Sequence, residues 1–390
     1  MSAVRLLHLA AGLGLIAATG SLNAQGSLLR RKQLGVTPRF ERITFSSTKP
    51  GDGDDGTPIA TIEQLSIPFG VAFPLARGWS ADVAAAYTSG RVEYDNGATV
   101  TLSGISDVRL RVSGKLVGDA LILTLGANAP SGAASLDAEE LTAVRVLAAP
   151  AFGLQMPSVG FGPAGTVGLV GSRLLGQWVG AVGVAYEYRG KFSPVAALQA
   201  GAQPDFDPGN STRLSLGLEG FLGDSRIGLQ AGADLFSDDR LTVGGASAQT
   251  IKLGPILSLE STLSFATSRI RDGRLSGAVQ RRASFTRNGE AVDGSDGVYM
   301  NAGLEGGLAL GRSTDLHLAA AVLVHTGLDV DNTLMTAKAN NAGVQLGLRV
   351  RGTGGTFEPF VRAGTGSVDP GSGSSSFSTL SAGLTLILRF

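Results

Sequence analysis

The chain has 390 residues, no cysteine, and 32 acidic and 32 basic residues. The lack of cysteine excludes disulfides and thiol chemistry, and the zero net charge gives no general field that would attract nucleic acid. Glycine is abundant, at 57 residues, and only 16% of the residues are charged. This composition favours an exported β-sheet protein without a nucleic-acid partner.

The first 24 residues have the pattern of an export signal. Arg5 precedes an apolar stretch of 13 residues from Leu6 to Ala18, and small and polar residues follow as far as Ala24. This stretch is too short to cross a bilayer, and no later segment has the run of about 18 apolar residues that a transmembrane helix needs. We therefore expect a signal peptide over 1–24, a short periplasmic segment over 25–34 and no transmembrane helix.

Segments with a hydrophobic period of two, separated by turn residues, occupy the rest of the chain. The predicted strands are sixteen in number: 35–48, 60–75, 79–92, 105–117, 120–130, 163–174, 177–189, 210–221, 226–237, 250–266, 271–288, 297–311, 314–326, 341–352, 356–367 and 377–390. Their connections alternate between short turns and long loops, a layout typical of outer-membrane barrels. The fold prediction is therefore all-β: a membrane-spanning antiparallel up-and-down β-barrel over 35–390, with short periplasmic turns and long extracellular loops. Fourteen strands is the alternative count.

Charged residues are segregated between the two faces of these strands. In seven well-defined strands, one of them 250–266 with its odd residues outward, 41 positions on one face contain no charge, whereas the interleaved positions carry 13 charges. An Arg or Lys on the lipid face at mid-bilayer costs about 2–4 kcal/mol. We therefore expect the uncharged face to contact outer-membrane lipid and the charged face to line a lumen. A soluble secreted β protein is the alternative, because such a face can also cover a core.

Two strands do not fit this segregation. Arg42 lies on the outward face of the first strand, and Arg281 and Arg287 share parity with apolar neighbours in the strand at 271–288. A bulge or a position at the rim of the barrel would account for them.

Aromatic residues mark both ends of the predicted apolar band. Trp79 and Trp178 each begin a strand that leaves a short turn, and Tyr186 and Tyr188 end the second of these strands on its outward face. At ~3.3 Å per residue and a tilt near 40°, the distance from Trp178 to Tyr188 is roughly 25 Å, the height of an outer-membrane apolar band. We predict that all four are membrane-interface aromatics, with packing in a soluble core as the alternative.

The longest loop, 131–162, is the third of the long loops and contains a predicted helix. Ser135 is the predicted N-cap, and Asp137, Glu139 and Glu140 lie in the first turns. Our hypothesis is that this loop folds into the lumen and forms a constriction, in which its acids face lumen cations and tune selectivity. The lumen cations are Arg109, Arg111, Arg213 and Arg282.

Two other interpretations of this loop remain open. Phe152, Met156 and Phe161 could form an apolar loop pocket at the mouth of the channel. Alternatively, the loop could be an external lid that leaves the lumen unobstructed.

No catalytic, cofactor or metal pattern stands out. By parity His317 and His325 both face inward on one strand, about 26 Å apart, too far to share one ligand. The acidic run over 51–56 has Thr57 where a calcium loop needs glycine. We therefore expect neither an enzyme nor a cofactor nor a metal site.

The C-terminal strand carries the strongest motif. Apolar residues alternate up to Leu386, Leu388 and Phe390, and this ending resembles the last strand of bacterial outer-membrane barrels. The resemblance implies an outer-membrane location in a Gram-negative-type bacterium and recognition of the terminal Phe by the outer-membrane assembly machinery.

A second, shorter resemblance covers residues 104–132. This hairpin looks like one found in putative outer-membrane transporters linked to meta-pathway phenol degradation, although it ends Asn128-Ala129-Pro130-Ser131-Gly132 where that family has K-L-P-T-G. Together the two resemblances imply a porin-like channel for passive diffusion of small solutes, with hydrophobic or aromatic compounds as candidates. A structural or surface-interaction barrel with an occluded lumen is the alternative.

Overall fold

The structure is a computed structural model that describes residues 32–390, except 47, 52–55, 77, 118–119, 133–135, 155–159, 194–203, 244–247, 329, 331–332 and 372. The predicted signal peptide and residues 25–31 of the predicted periplasmic segment lie outside the described residues, whereas Gln33 and Leu34, predicted to belong to that segment, are part of the first strand. No helix among the described residues is long and apolar enough to cross a membrane.

Within the described residues the chain forms a closed antiparallel barrel of sixteen strands. The strands are β1 (Gln33–Val36 and Arg39–Phe45), β2 (Ile59–Ala76), β3 (Trp79–Tyr94), β4 (Thr99–Ile105 and Val108–Val117), β5 (Leu121–Ala129), β6 (Ala164–Leu175), β7 (Trp178–Arg189), β8 (Ser211–Leu222), β9 (Ser225–Phe236), β10 (Ile256–Phe265), β11 (Ile270–Arg282), β12 (Gly297–Ala309), β13 (Thr314–His325), β14 (Lys338–Gly352), β15 (Gly355–Asp369) and β16 (Ser375–Arg389). Each strand pairs with its neighbours in sequence, and β1 pairs with both β2 and β16, which closes the sheet. The predicted fold and strand count are confirmed.

Two strands are interrupted for local reasons. β1 breaks at Pro38, which has no N–H to donate, but the register on both sides of the break is the same. β4 contains a bulge at Ser106 and Asp107, so its pairing with β3 shifts by one residue. The bulge changes parity: Ile105 faces outward before it, and Leu110 faces outward after it, at 50% and 45% exposure.

The outer surface of the barrel is a broad apolar belt. Large apolar side chains on alternate positions stay exposed, as in β8, where Leu214, Leu216 and Leu218 are exposed between partly buried polar residues. A water-soluble fold would not leave so much contiguous apolar area uncovered. The belt is therefore the surface that faces lipid, as the parity analysis predicted.

One pair of substitutions tests which face of the strands contacts lipid. Leu216→Arg places a charge on the outer face near the middle of β8, and we expect it to lower the free energy of unfolding in lipid vesicles by about 2–4 kcal/mol. Ser215→Arg, one residue away, points to the lumen and serves as the matched control, with an expected change within about 1 kcal/mol. Equal losses for the two variants, in urea titrations of vesicle-refolded protein, would contradict the assignment of the faces.

The structure corrects two predicted strands at the end of the barrel that carries the long connections, here called the long-loop end. β10 begins at Ile256, not at 250, and the supposedly lipid-facing Ile251 and Leu253 are almost completely buried. β11 ends at Arg282, so Phe285 is buried and Arg287 lies outside the barrel. Parts of the two misplaced segments, Gln249–Lys252 and Thr286–Arg287, belong to a separate small sheet, here called the outer sheet. Its other strands are Pro204–Asp207, Asp238–Val243 and Glu290–Ala291.

Arg42 and Arg281, two of the outward charges that did not fit the segregation, lie toward the long-loop end. Arg42 on β1 faces Glu63 on β2, with Nε and Oε1 3.6 Å apart, and both side chains are solvent-accessible. Arg281, next to the last residue of β11, is likewise exposed. The predicted rim position thus accounts for Arg42 and Arg281.

The described hydrophobic core lies at the long-loop end rather than along the whole barrel. It joins inward residues of β1 and β2, such as Ile43 and Ile62, to residues of the long loops and the outer sheet. Loop residues such as Leu141, Phe152 and Leu334 are almost fully buried. The core therefore fixes the loops on the barrel and determines where the interior is filled.

Candidate functional site

The described part of the longest loop contains one α-helix, α1 (Ala138–Leu147), followed by a 3-10 turn at Pro150–Phe152. The predicted helix is therefore present, but its N-cap is Asp137 rather than Ser135. The Asp137 carboxylate accepts the backbone N–H groups of Glu139 and Glu140, at 2.9 and 2.8 Å, and Glu140 Oε2 accepts the N–H of Asp137 at 3.0 Å. This reciprocal capping satisfies the first turn, so the helix begins there.

α1 packs on the inner face of the barrel wall. Leu147 lies against Gly90 on β3, where a Cβ would come within 2.5 Å of Leu147 Cδ1. Gly90 alternates with the exposed, outward Arg91, so this contact is inside the barrel. The Phe152 ring packs edge-on against Phe45 and Phe377, at centroid distances of 5.8 and 5.6 Å. The described part of the loop thus folds inward at the long-loop end.

A buried carboxylate at the β4 bulge holds both ends of this loop. Asp107 Oδ1 accepts the N–H of Gly132 at 2.9 Å, and Oδ2 accepts the N–H of Phe161 at 2.8 Å. The Asn128 amide donates to the same Oδ2 at 2.8 Å. The two ends of the loop also lie close together here, at a place called the loop neck below: a Cβ on Gly132 would lie 2.6 Å from Gly160 Cα. No motif in the sequence singled out Asp107 for this function.

The three predicted loop acids do not meet the predicted lumen cations. Asp137 and Glu140 are occupied by the capping of α1, and Glu139 is exposed. No salt bridge joins any of the three to an arginine within the described residues. Their effect on ion selectivity stays a prediction.

The four predicted lumen arginines have different surroundings. Arg111 Nε donates to Asp82 Oδ2 at 2.8 Å, and Arg213 Nη2 donates to Asp234 Oδ2 at 2.7 Å, so both are held against the wall. Arg282 is buried at the long-loop end. Arg109 is exposed and makes no hydrogen bond or ion pair with the described part of the chain. Of these four arginines, Arg109 is therefore the one whose guanidinium has no partner among the described residues.

Arg282 lies beside an acid of the outer sheet. Asp239 accepts the N–H of Gly209 at 2.5 Å and lies 3.8 Å from Arg189. Burial raises the pKa of Asp239 to about 6, although Arg189, the Gly209 N–H and Arg282 each oppose the shift. The contact with Arg189 ties the outer sheet to the end of β7. The place of Arg282 in a constriction stays a prediction.

The predicted apolar loop pocket is a packed region rather than an open one. Phe152 is 3% exposed, within the aromatic cluster, and Phe161 packs against the same hydrophobic core. Met156 lies outside the described residues. Phe152 and Phe161 therefore anchor the loop to the hydrophobic core at the long-loop end.

The predicted interface aromatics are on the outer face. Trp79 lies over Gly114 and Trp178 over Gly220, where a side chain would overlap the indole rings. Tyr186 and Tyr188 are exposed at the other end of β7. Covering a cross-strand glycine with an aromatic ring also supports the sheet, so the tryptophans have a packing function besides their predicted contact with the membrane interface.

The C-terminal residues complete the barrel closure. Leu386 and Leu388 pair with Val36 and Leu34 across the β1–β16 seam. The N–H of Phe390 donates to the carbonyl of Lys32 at 3.0 Å, whereas the residue as a whole is 71% exposed. The recognition of this residue by assembly machinery stays a prediction.

The described residues contain no group of three or more potential metal ligands. His317 Nδ1 lies 2.5 Å from Glu358 Oε1, and Arg349 Nε donates to Glu358 Oε2 at 2.6 Å. His325 contacts the carbonyl of Ala337 at 3.0 Å. The two histidines thus belong to separate structural contacts.

No protein-family model and no curated protein matches the chain. Several solved outer-membrane channels are similar to it. The TodX deltaS2S3 mutant, a monoaromatic hydrocarbon channel, is 12% identical over 93% of this chain and 91% of that chain, with a TM-score of 0.45. OprB of Pseudomonas putida is 10% identical over 92% and 94%, with a TM-score of 0.47. The anion-selective porin from Comamonas acidovorans is 10% identical over 91% and 98%, with a TM-score of 0.42. Because these scores are low, the fold assignment rests on the closed strand pairing itself.

Proposed function

We propose that the protein is a channel for passive diffusion of small solutes across the outer membrane of a Gram-negative-type bacterium. The observation that carries this proposal is a closed barrel with an apolar outer wall and charged inner side chains that stay open to water. Arg226 and Glu219 form an inner-wall ion pair with side chains 56% and 46% exposed, and Arg274 and Glu305 form another at 43% each. Exposed charges on the inner wall indicate a water-filled interior below the long-loop end.

Liposome swelling tests the channel directly. Vesicles containing the refolded protein should swell at rates that depend on the solute when sugars, amino acids and phenolics are compared. The resemblance of hairpin 104–132 to phenol-pathway transporters points to phenolics as the solutes to examine first. No swelling with any of these solutes would exclude passive diffusion.

The second candidate function is a structural or surface-interaction barrel with an occluded lumen, whose loops bind partners. The packing at the long-loop end favours it, because Leu141, Phe152 and Leu334 bury apolar area inside the mouth. In that case the swelling assay gives no solute-dependent rate, although the barrel is correctly folded.

The loop that carries α1 is proposed to set the bore. A variant lacking 133–160 should show a several-fold higher single-channel conductance, because α1 and Phe152 leave the mouth. Replacing 138–147 with a Gly-Ser segment of equal length is the matched variant, since it removes the helix but keeps the chain length. Unchanged conductance and ion selectivity in both variants would rule out the constriction.

The remaining proposals concern assembly and chemistry. We propose that Leu386, Leu388 and Phe390 form the signal read by the outer-membrane assembly machinery, as the C-terminal resemblance implies. No enzymatic activity is part of the proposal; phospholipase and protease assays on the refolded protein test that exclusion.

A further inference from the structure

A cavity of about 460 Å³ opens in the inner wall near the β1–β16 seam. Its lining includes Gly35, Gly70, Ala84, Ile387 and Arg109. A volume of this size matches the lower part of the range for small-molecule sites. The cavity lies below the loop neck held by Asp107 and is separate from the packed region around α1.

Strand register explains the shape of this cavity. Ile387, Gly35, Gly70 and Ala84 are paired in turn across four adjacent strands, and Ala84 is paired with Arg109 on the fifth. They form a single row across the wall. The residues next to them along the strands, such as Val71 and Leu110, are exposed on the outer face, so this row points inward.

The centre of the row is recessed because it lacks large side chains. A Cβ on Gly35 would meet no atom within 4 Å, and a Cβ on Gly70 would meet only wall atoms, at 3.5 Å and beyond. The floor is therefore mostly backbone and methyl groups between Ile387 on one side and Arg109 on the other. A flat apolar group could lie against this floor without displacing a side chain.

Arg109 supplies the only charge in the row, and no carboxylate among the described residues forms an ion pair with it. The arginine two residues further along β4, Arg111, is already paired with Asp82 at 2.8 Å. Asp107 also lines the cavity, but three donors from the loop neck and Asn128 occupy its oxygens. A free guanidinium beside an apolar floor matches a carboxylate attached to a flat apolar body.

We propose that this cavity is a binding subsite for small monocarboxylates with a flat apolar body, of the arene carboxylate class. The carboxylate pairs with Arg109, and the ring lies on the floor formed by Gly35, Gly70 and Ala84. This subsite rests on the proposed channel function, because a solute that diffuses through the lumen would bind there transiently.

Fluorine NMR titration of the detergent-refolded protein tests binding without requiring transport. The probes are 4-fluorobenzoate and its neutral counterpart 4-fluorobenzamide. The intact protein should bind the carboxylate with a dissociation constant on the order of millimolar and bind the amide at least several-fold more weakly. Arg109→Gln should weaken carboxylate binding about tenfold or more and remove the preference over the amide.

Two matched variants control for general charge and for folding. Arg226→Gln removes a lumen charge on β9, away from the strands that line the cavity, and should leave binding within about twofold. Gly35→Leu fills the recess and should abolish binding of both probes, whereas Gly165→Leu adds the same side chain on the outer face, where a Cβ also meets no atom within 4 Å, and should have no effect. Absence of carboxylate binding to the intact protein, or equal weakening by Arg226→Gln and Arg109→Gln, would overturn the subsite.

The two proposals fail in different ways. Vesicles that swell with sugars while the protein binds no 4-fluorobenzoate leave the channel intact and refute the subsite. Binding that depends on Arg109 in a protein that gives no swelling supports the subsite and refutes passive diffusion.

Discussion

Asp107→Ala should release the neck of the longest loop and widen the mouth of the barrel. The substitution removes three hydrogen bonds to one buried carboxylate, from Gly132, Phe161 and Asn128. Hydrogen bonds to charged groups contribute about 1.5–3 kcal/mol each, and neighbouring bonds do not add in full, so we expect loop closure to lose on the order of 4 kcal/mol. Strand pairing on both sides of the bulge keeps the barrel closed.

Limited proteolysis and single-channel recording detect this release. Cleavage within 131–162 should accelerate at least tenfold, because local opening follows the lost free energy, and the current should become larger and noisier. Asp137→Ala is the matched control: it removes the N-cap of α1 in the same loop at a cost of about 1 kcal/mol, but it leaves the neck closed. If both variants are cleaved at the rate of the unaltered protein, Asp107 does not hold the loop.

The sequence alone could predict the barrel because its strands obey a local rule. Alternation of apolar and polar residues determines which side chains face lipid, and this pattern depends only on neighbouring residues, as in Leu214, Leu216 and Leu218. The number of strands and most of their bounds followed from that alternation.

The same local rule failed where the chain leaves the barrel. The alternation continues through Ile251 and Leu253, yet these residues are covered by other long loops rather than by lipid. A period of two shows that a segment is extended, but it does not show which sheet the segment joins. The extra residues predicted for β10 and β11 are a consequence of this ambiguity.

The candidate site was predictable only in part. The acidic first turn identified α1, but capping chemistry alone did not distinguish Ser135 from Asp137 as the N-cap. The partners of Arg111 and Arg213 depend on strand register, which a single strand does not reveal. One signal was available for Asp107: the outward parity changes between Ile105 and Leu110, and this change marks a bulge.

Glu358→Ala should cause a large loss of stability near the short-turn end of the barrel. Glu358 is 4% exposed, and its carboxylate bridges His317 and Arg349, at 2.5 and 2.6 Å. Removing it leaves Arg349 with only a long contact to Asp272 at 4.0 Å within the described residues. Breaking a buried ion pair by removing one partner costs about 3–5 kcal/mol, because the other charge stays buried without compensation.

Reversible urea unfolding in detergent micelles measures this loss. Glu305→Ala is the matched control: it removes a glutamate from an inner-wall pair in which both side chains are 43% exposed, so its expected cost is about 0–1 kcal/mol. The double variant Glu358→Ala/Arg349→Met should recover part of the stability lost in Glu358→Ala, since it no longer buries an unpaired guanidinium. Equal costs for Glu358→Ala and Glu305→Ala would show that water reaches the Glu358 cluster and that the lumen is wet along this wall as far as His317.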